Sequence, residues 1–122
     1  MKTPLLCLVL AALTASAAWA NGPNIEAVMT DKVGMNWRIA VTLRHPDTGW
    51  DHYADSWRIE DVHGRVIATR ELLHPHVQEQ PFTRSLSSVM VPDGVRELFV
   101  RARCSVEGWD SVHYRIEMSP EM

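Results

Sequence analysis

Hydrophobic and polar positions alternate along most of this chain. Trp37, Ile39, Val41 and Leu43 occupy every second position, with Asn36, Arg38, Thr42 and Arg44 between and around them. A period of two places successive side chains on opposite faces of a strand, so this segment predicts a sheet with one wet side. The same pattern recurs. Ile25, Ala27 and Met29 predict a first strand that ends near Asp31 to Gly34. Trp57 and Ile59 lead a third, and Arg65 to Glu71 a fourth across the His63-Gly64 turn. Phe82 to Val91 predicts a fifth. Leu98, Val100, Ala102, Cys104 and Val106 share one face of a sixth, opposite Glu97, Arg101 and Arg103. Val112, Tyr114, Ile116 and Met118 form the inner face of the last, with His113, Arg115 and Glu117 outside.

Turn chemistry divides these runs. His45-Pro46-Asp47-Thr48-Gly49, Pro92-Asp93-Gly94 and Gly108 to Asp110 supply proline, aspartate and glycine where the chain must reverse. Short connections imply antiparallel pairing. About seven such strands predict an all-β, immunoglobulin/fibronectin-III-like antiparallel sandwich, with a small open barrel as the alternative. Trp37 or Trp57 is expected in the core, where a large aromatic fills the gap between sheets.

The first twenty residues follow another rule. Lys2 precedes an apolar run from Leu5 to Leu13, and Ala18-Trp19-Ala20 offers small residues at both positions a signal peptidase reads. Residues 1–20 are therefore read as a secretory signal peptide, cleaved before Asn21, with 21–122 a single domain. The run is too short to span a bilayer as a stable helix, so no membrane insertion is expected after cleavage. Cys7 lies inside the run rather than at its end and is not placed like a lipoprotein cysteine. The expected address is periplasmic or secreted.

With 12 basic and 15 acidic residues the net charge is −3. A mildly acidic chain with scattered arginines lacks the basic stripe that nucleic acid requires. Once Cys7 leaves, Cys104 has no partner for a disulfide, so stability rests on the core.

Two connections concentrate the candidate chemistry. Residues 72–85 contain His74-Pro75-His76, then Glu79, Arg84 and Ser85. Pro75 favours an extended backbone, which sets His74 and His76 on the same side. Two imidazoles on one stiff loop could hold copper or zinc, with Glu79, His45 or His52 completing the site. The plainer alternative is a proline-stiffened connection with solvated or hydrogen-bonded histidines. Residues 44–57 mix His45, Asp47, Trp50, Tyr53 and Trp57 with further acids. Aromatic faces beside carboxylates suit a small ligand or an envelope partner, whereas the bland reading is a cap over the open end of a sandwich.

Cys104, His113 and Met118, with His45 upstream, follow the ligand order of a blue-copper site. Cupredoxins look similar in that order, but place the cysteine and second histidine in one short loop. Here eight residues separate them, and strand parity sends Cys104 inward and His113 outward. Cys104 is read as a small buried hydrophobe with an inert thiol. Catalysis has little support. No Gly-x-Ser-x-Gly elbow surrounds Ser85, Ser87 or Ser88, and no glycine-rich phosphate loop is present.

The words His45-Pro46-Asp47-Thr48-Gly49-Trp50, His74-Pro75-His76 and Glu79-Gln80-Pro81-Phe82-Thr83-Arg84-Ser85 resemble a recurrent, uncharacterised family of small exported bacterial proteins. The resemblance covers most of the chain after residue 20 and implies an envelope protein. It carries no activity to any residue. The leading expectation is a non-enzymatic exported binding module that acts through connections 44–57 and 72–85. Binding residues usually sit on loops held by a rigid sheet. The rivals are a metal-binding protein using His74 and His76, and a purely structural envelope module. If the two connections lie at one end of the sandwich, they make one surface.

Overall fold

The structure is a computed structural model that describes residues 22–118. The signal-peptide reading, its cleavage site and Cys7 lie outside the described residues. Seven strands follow one another: β1 (Asn24–Val33), β2 (Asn36–Arg44), β3 (Ala54–Glu60), β4 (Val66–Glu71), β5 (Phe82–Val89), β6 (Glu97–Cys104) and β7 (Gly108–Glu117). They form two sheets, ordered β1-β2-β5 and β4-β3-β6-β7, with every paired neighbour antiparallel. This is the all-β sandwich that the alternation predicts. No helix among the described residues is long and apolar enough to cross a membrane.

The core lies between the sheets. Ile39, Val41 and Leu43 of β2 meet Trp57 and Ile59 of β3 and Leu98, Val100 and Ala102 of β6, all essentially inaccessible to solvent. Of the two candidate tryptophans, Trp57 is fully buried, while Trp37 packs against the core from its margin. Burying each such side chain contributes about 1.5–3 kcal/mol, which lets the sandwich stand without a disulfide.

Three details depart from strict alternation. In β1 the register shifts between Ile25 and Ala27, a bulge that inserts one residue and reverses the parity beyond it. Ile25 and Val28 therefore face the core, and Met29 stands 66% exposed. β6 ends at Cys104, so Val106 lies in the turn and is exposed. β7 already starts at Gly108, and only its far end is covered. Ile116 and Met118 are buried, whereas Val112 is 60% exposed and Tyr114 37%. β7 is an edge strand of the four-stranded sheet. Part of an edge strand can lie beyond the reach of the narrower three-stranded sheet, and alternation cannot report that.

The outer face of the four-stranded sheet carries paired charge. Glu60 is nearly inaccessible and accepts hydrogen bonds from Arg58 at 2.7 Å and from Arg101 at 3.0 Å. Burial alone would raise its carboxyl. The bonds from Arg101 and Arg58 outweigh that and hold it below the usual carboxylate range. Arg58 also stacks over Trp109, 4.0 Å from the ring centroid.

The antiparallel order puts three connections at one end. They are residues 45–53 between β2 and β3, 72–81 between β4 and β5, and 105–107 between β6 and β7. The last turn closes through Gly108 at φ 84°, a left-handed backbone that glycine adopts without steric cost.

Candidate metal centre

Asp47 organises this end of the molecule. Its Oδ1 accepts from His45 Nδ1 at 2.7 Å and from the backbone N–H of Ala54 at 3.0 Å. Its Oδ2 accepts from the backbone N–H of His76 at 2.7 Å. One buried carboxylate thus ties the β2–β3 connection to itself, to the start of β3 and to the β4–β5 connection. Gln80 adds a second tie, accepting from the His45 N–H at 2.9 Å and donating to the His76 carbonyl at 2.9 Å. The third connection joins through Ser105, whose N–H donates to the Tyr53 carbonyl and whose Oγ accepts from the Tyr53 N–H. The two polar connections therefore do share one end of the sandwich.

Beneath these ties, His45, His52 and Cys104 converge, each offering a ligand atom within 4.8 Å of the others. His45 leaves the end of β2. His52 sits in a tight turn held by its own N–H to the Gly49 carbonyl and its carbonyl to the Thr48 N–H. Cys104 ends β6 opposite Ala54. The two imidazoles meet edge to face with centroids 5.0 Å apart.

The hydrogen bonds select the atoms. His45 Nδ1 is engaged by Asp47, so its Nε2 is the nitrogen left to bind. That Nε2 is buried without a hydrogen-bond partner, and so is His52 Nε2. Two orphaned buried nitrogens beside a buried sulfur are costly unless something is bound between them. Three ligands around one ion at roughly 2.0–2.3 Å would stand about 3.5 Å apart, so small side-chain adjustments close the site. Cys104 Sγ also accepts from the Val106 N–H at 3.4 Å. Carboxylate–imidazole–metal is the usual way to fix a histidine tautomer and orient its ring.

The same atoms, Asp47–His45–Cys104, follow the order of an acid–base–nucleophile triad. Cys104 has no exposed surface, which favours holding an ion over attacking a substrate.

The other sequence candidates surround this centre. His76 is nearly buried and stacks on Phe82 with centroids 3.8 Å apart. Its Nε2 accepts from Arg84 at 2.9 Å, and its Nδ1 is buried without a partner. His74 is exposed, its ring centroid 4.5 Å from that of His76 and its Nδ1 3.1 Å from the Pro75 carbonyl. Glu79 lies 3.6 Å from Arg84. Trp50 is 67% exposed and meets Tyr53 edge to face at 5.5 Å. His113, the third residue of the blue-copper order, is exposed, contacts Phe99 and pairs opposite Arg101, away from the Cys104 end of β6.

Burial and the neighbouring Arg84 guanidinium push the His76 imidazole below its ordinary value of 6.5. A histidine depressed in the folded state binds more protons when unfolded. Its stabilising effect is therefore present above pH 6.5 and is lost as the pH falls toward the folded value. Urea midpoints should drop between pH 7.5 and pH 5, and His76→Gln should flatten that part of the profile. An unchanged pH slope in the variant would contradict this.

No family model matches the chain. A protein of Halomicrobium mukohataei named "Putative lipoprotein" is 36% identical over 85 residues, which is 70% of this chain and 41% of that protein. The chain thus spans about two fifths of the length of that relative. Two solved structures share the fold. A hypothetical protein from Pyrococcus horikoshii aligns with a TM-score of 0.56 at 10% identity, covering 83% of this chain and 93% of its own. The superoxide reductase from Nanoarchaeum equitans aligns with a TM-score of 0.53 at 14% identity, covering 82% and 95%. At these identities the likeness shows the architecture alone.

Proposed function

We propose that this chain is an exported metal-binding domain that holds one copper or zinc ion through His45, His52 and Cys104. The observation that carries the reading is a pair of imidazoles, each with a partnerless buried Nε2, that converge with a buried thiol, one ring oriented by Asp47. Imidazole and thiolate together suit these ions better than magnesium or calcium, which take oxygen ligands. Export is supported by the leader-like residues 1–20 and by the name of the Halomicrobium relative. The superoxide reductase neighbour supports the fold, and its activity is not carried over to this chain.

A second reading, a module that docks an envelope partner or small ligand, is favoured by Trp50. This large aromatic stands exposed at the same end, close to the proposed centre in sequence and joined to Tyr53. The two readings are compatible if the partner delivers or receives the ion.

The test is a titration of three proteins with Cu(I), Cu(II) and Zn(II). They are the natural sequence, His45→Ala with His52→Ala, and His74→Ala with His76→Ala. One-to-one binding should vanish in the first double variant and persist in the second. The reverse pattern would move the site to the His74-Pro75-His76 segment. No binding of any ion by the natural sequence would overturn the metal reading.

A further inference from the structure

We propose that the end of the sandwich built by connections 45–53, 72–81 and 105–107 docks a partner protein through a basic segment interspersed with apolar side chains. The inference deepens the docking reading above and rests on it. All three connections expose large apolar side chains: Trp50 at 67%, Leu73 at 73%, Val77 at 50% and Val106 at 60%. Tyr53 joins them. It meets Trp50 edge to face, lines a groove with Leu73, and is bonded through its backbone to Ser105, the neighbour of Val106. Exposed apolar groups gathered around a tryptophan and a tyrosine are the usual anchors of a protein interface. Loops normally lose conformational freedom on binding. Two of these are already clasped through Asp47 and Gln80, so docking costs little further ordering.

Charge selects the occupant. The three connections hold Asp47, Asp51, Glu79 and Glu107 and no lysine or arginine. At the adjoining strand ends Arg44, Arg84 and Arg103 are each paired with a carboxylate, and Arg70 donates to the Glu71 carbonyl. The Glu71 side chain is exposed and lines the groove with Tyr53, Leu73 and Trp109. A partner lysine or arginine laid in that groove sets its aliphatic stem along Leu73 and its charge beside a carboxylate and aromatic rings. An acidic partner, or an anionic lipid surface, meets like charge at the same face. The opposite end of the sandwich is the contrast. Met35, Val62 and Met90 are exposed there, but connections 61–65 and 90–96 set Arg65 and Arg96 against Asp61 and Asp93, so neither sign of charge is preferred.

The test is a selection of short random peptides on the immobilised natural protein, followed by affinity measurements on the winners. Two variants are compared, Trp50→Ser with Leu73→Ser and Glu71→Gln with Glu107→Gln. All four positions are exposed, so both variants should fold. The selected peptides should be enriched in lysine or arginine together with leucine or aromatic residues. Their affinity should fall about tenfold or more in the apolar variant, fall in the charge variant, and weaken as ionic strength rises. Neutral or acidic winners that still require Trp50 and Leu73 would overturn the basic partner and leave the docking reading standing. Winners that bind the apolar variant equally well, or the recovery of no binder, would overturn both. Sedimentation of the natural protein with phosphatidylglycerol vesicles is the second arm. The protein should stay in the supernatant, and capture by the vesicles would overturn the proposal in favour of a lipid surface.

Discussion

Asp47→Ala will lower the folding stability by about 3 kcal/mol or more, because two backbone N–H groups and an imidazole N–H lose their acceptor together and each such group costs about 1–3 kcal/mol when left unpaired and buried. The donors are Ala54 N, His76 N and His45 Nδ1. They belong to two connections and the start of a strand, so the loss is not confined to one loop. Protection of the His76 amide against hydrogen exchange should fall at least as far as the global stability does. Chemical denaturation of the variant measures the first effect and exchange the second. A loss below about 1 kcal/mol, the scale of a single ordinary hydrogen bond, would mean that water replaces the carboxylate and that the hub is not structural.

Trp57→Ala will have a comparable or larger effect. Trp57 is fully buried in β3, the strand that pairs with β4 on one side and β6 on the other. Truncating a buried tryptophan costs about 3–5 kcal/mol through lost burial and the cavity left behind. In a domain whose total stability is about 5–15 kcal/mol, that removes a large share. Trp37→Ala is the control, since Trp37 is only partly covered. Urea denaturation of both should show the Trp57 variant to be clearly the weaker. Equal losses would contradict the placement of the core around Trp57.

Seven strands and two sheets were legible in the sequence because a sandwich rewards strict alternation. Trp37 to Leu43 and Leu98 to Cys104 obey it residue by residue, and the turns carry glycine or proline at their corners. Alternation failed where a three-dimensional fact intervened. The bulge after Ile25 exposes Met29, and incomplete cover at the edge exposes Val112 and Tyr114. Neither is written in the local pattern.

The site was legible only in part. That connections 44–57 and 72–85 gather the polar, aromatic and histidine residues could be read from their composition. That they are clasped by Asp47 and Gln80 could not, because those bonds span 29 and 35 residues. The sequence offers His74 and His76 as metal ligands, with Glu79, His45 or His52 to complete the site. The geometry brings His45 and His52 together with Cys104, from a turn and a distant strand end. A signal did exist. If β3 pairs with β6, Cys104 falls opposite Ala54, two residues past His52. Strand parity makes Cys104 a buried hydrophobe, and it is buried; parity says nothing of what the strand end faces.

The central claim is that a thiolate and two imidazoles share one ion. X-ray absorption at the zinc edge of the loaded protein tests it directly. The account predicts one sulfur at about 2.3 Å and two nitrogens at about 2.0 Å. A shell of nitrogen and oxygen without sulfur would contradict it and exclude Cys104 from the centre.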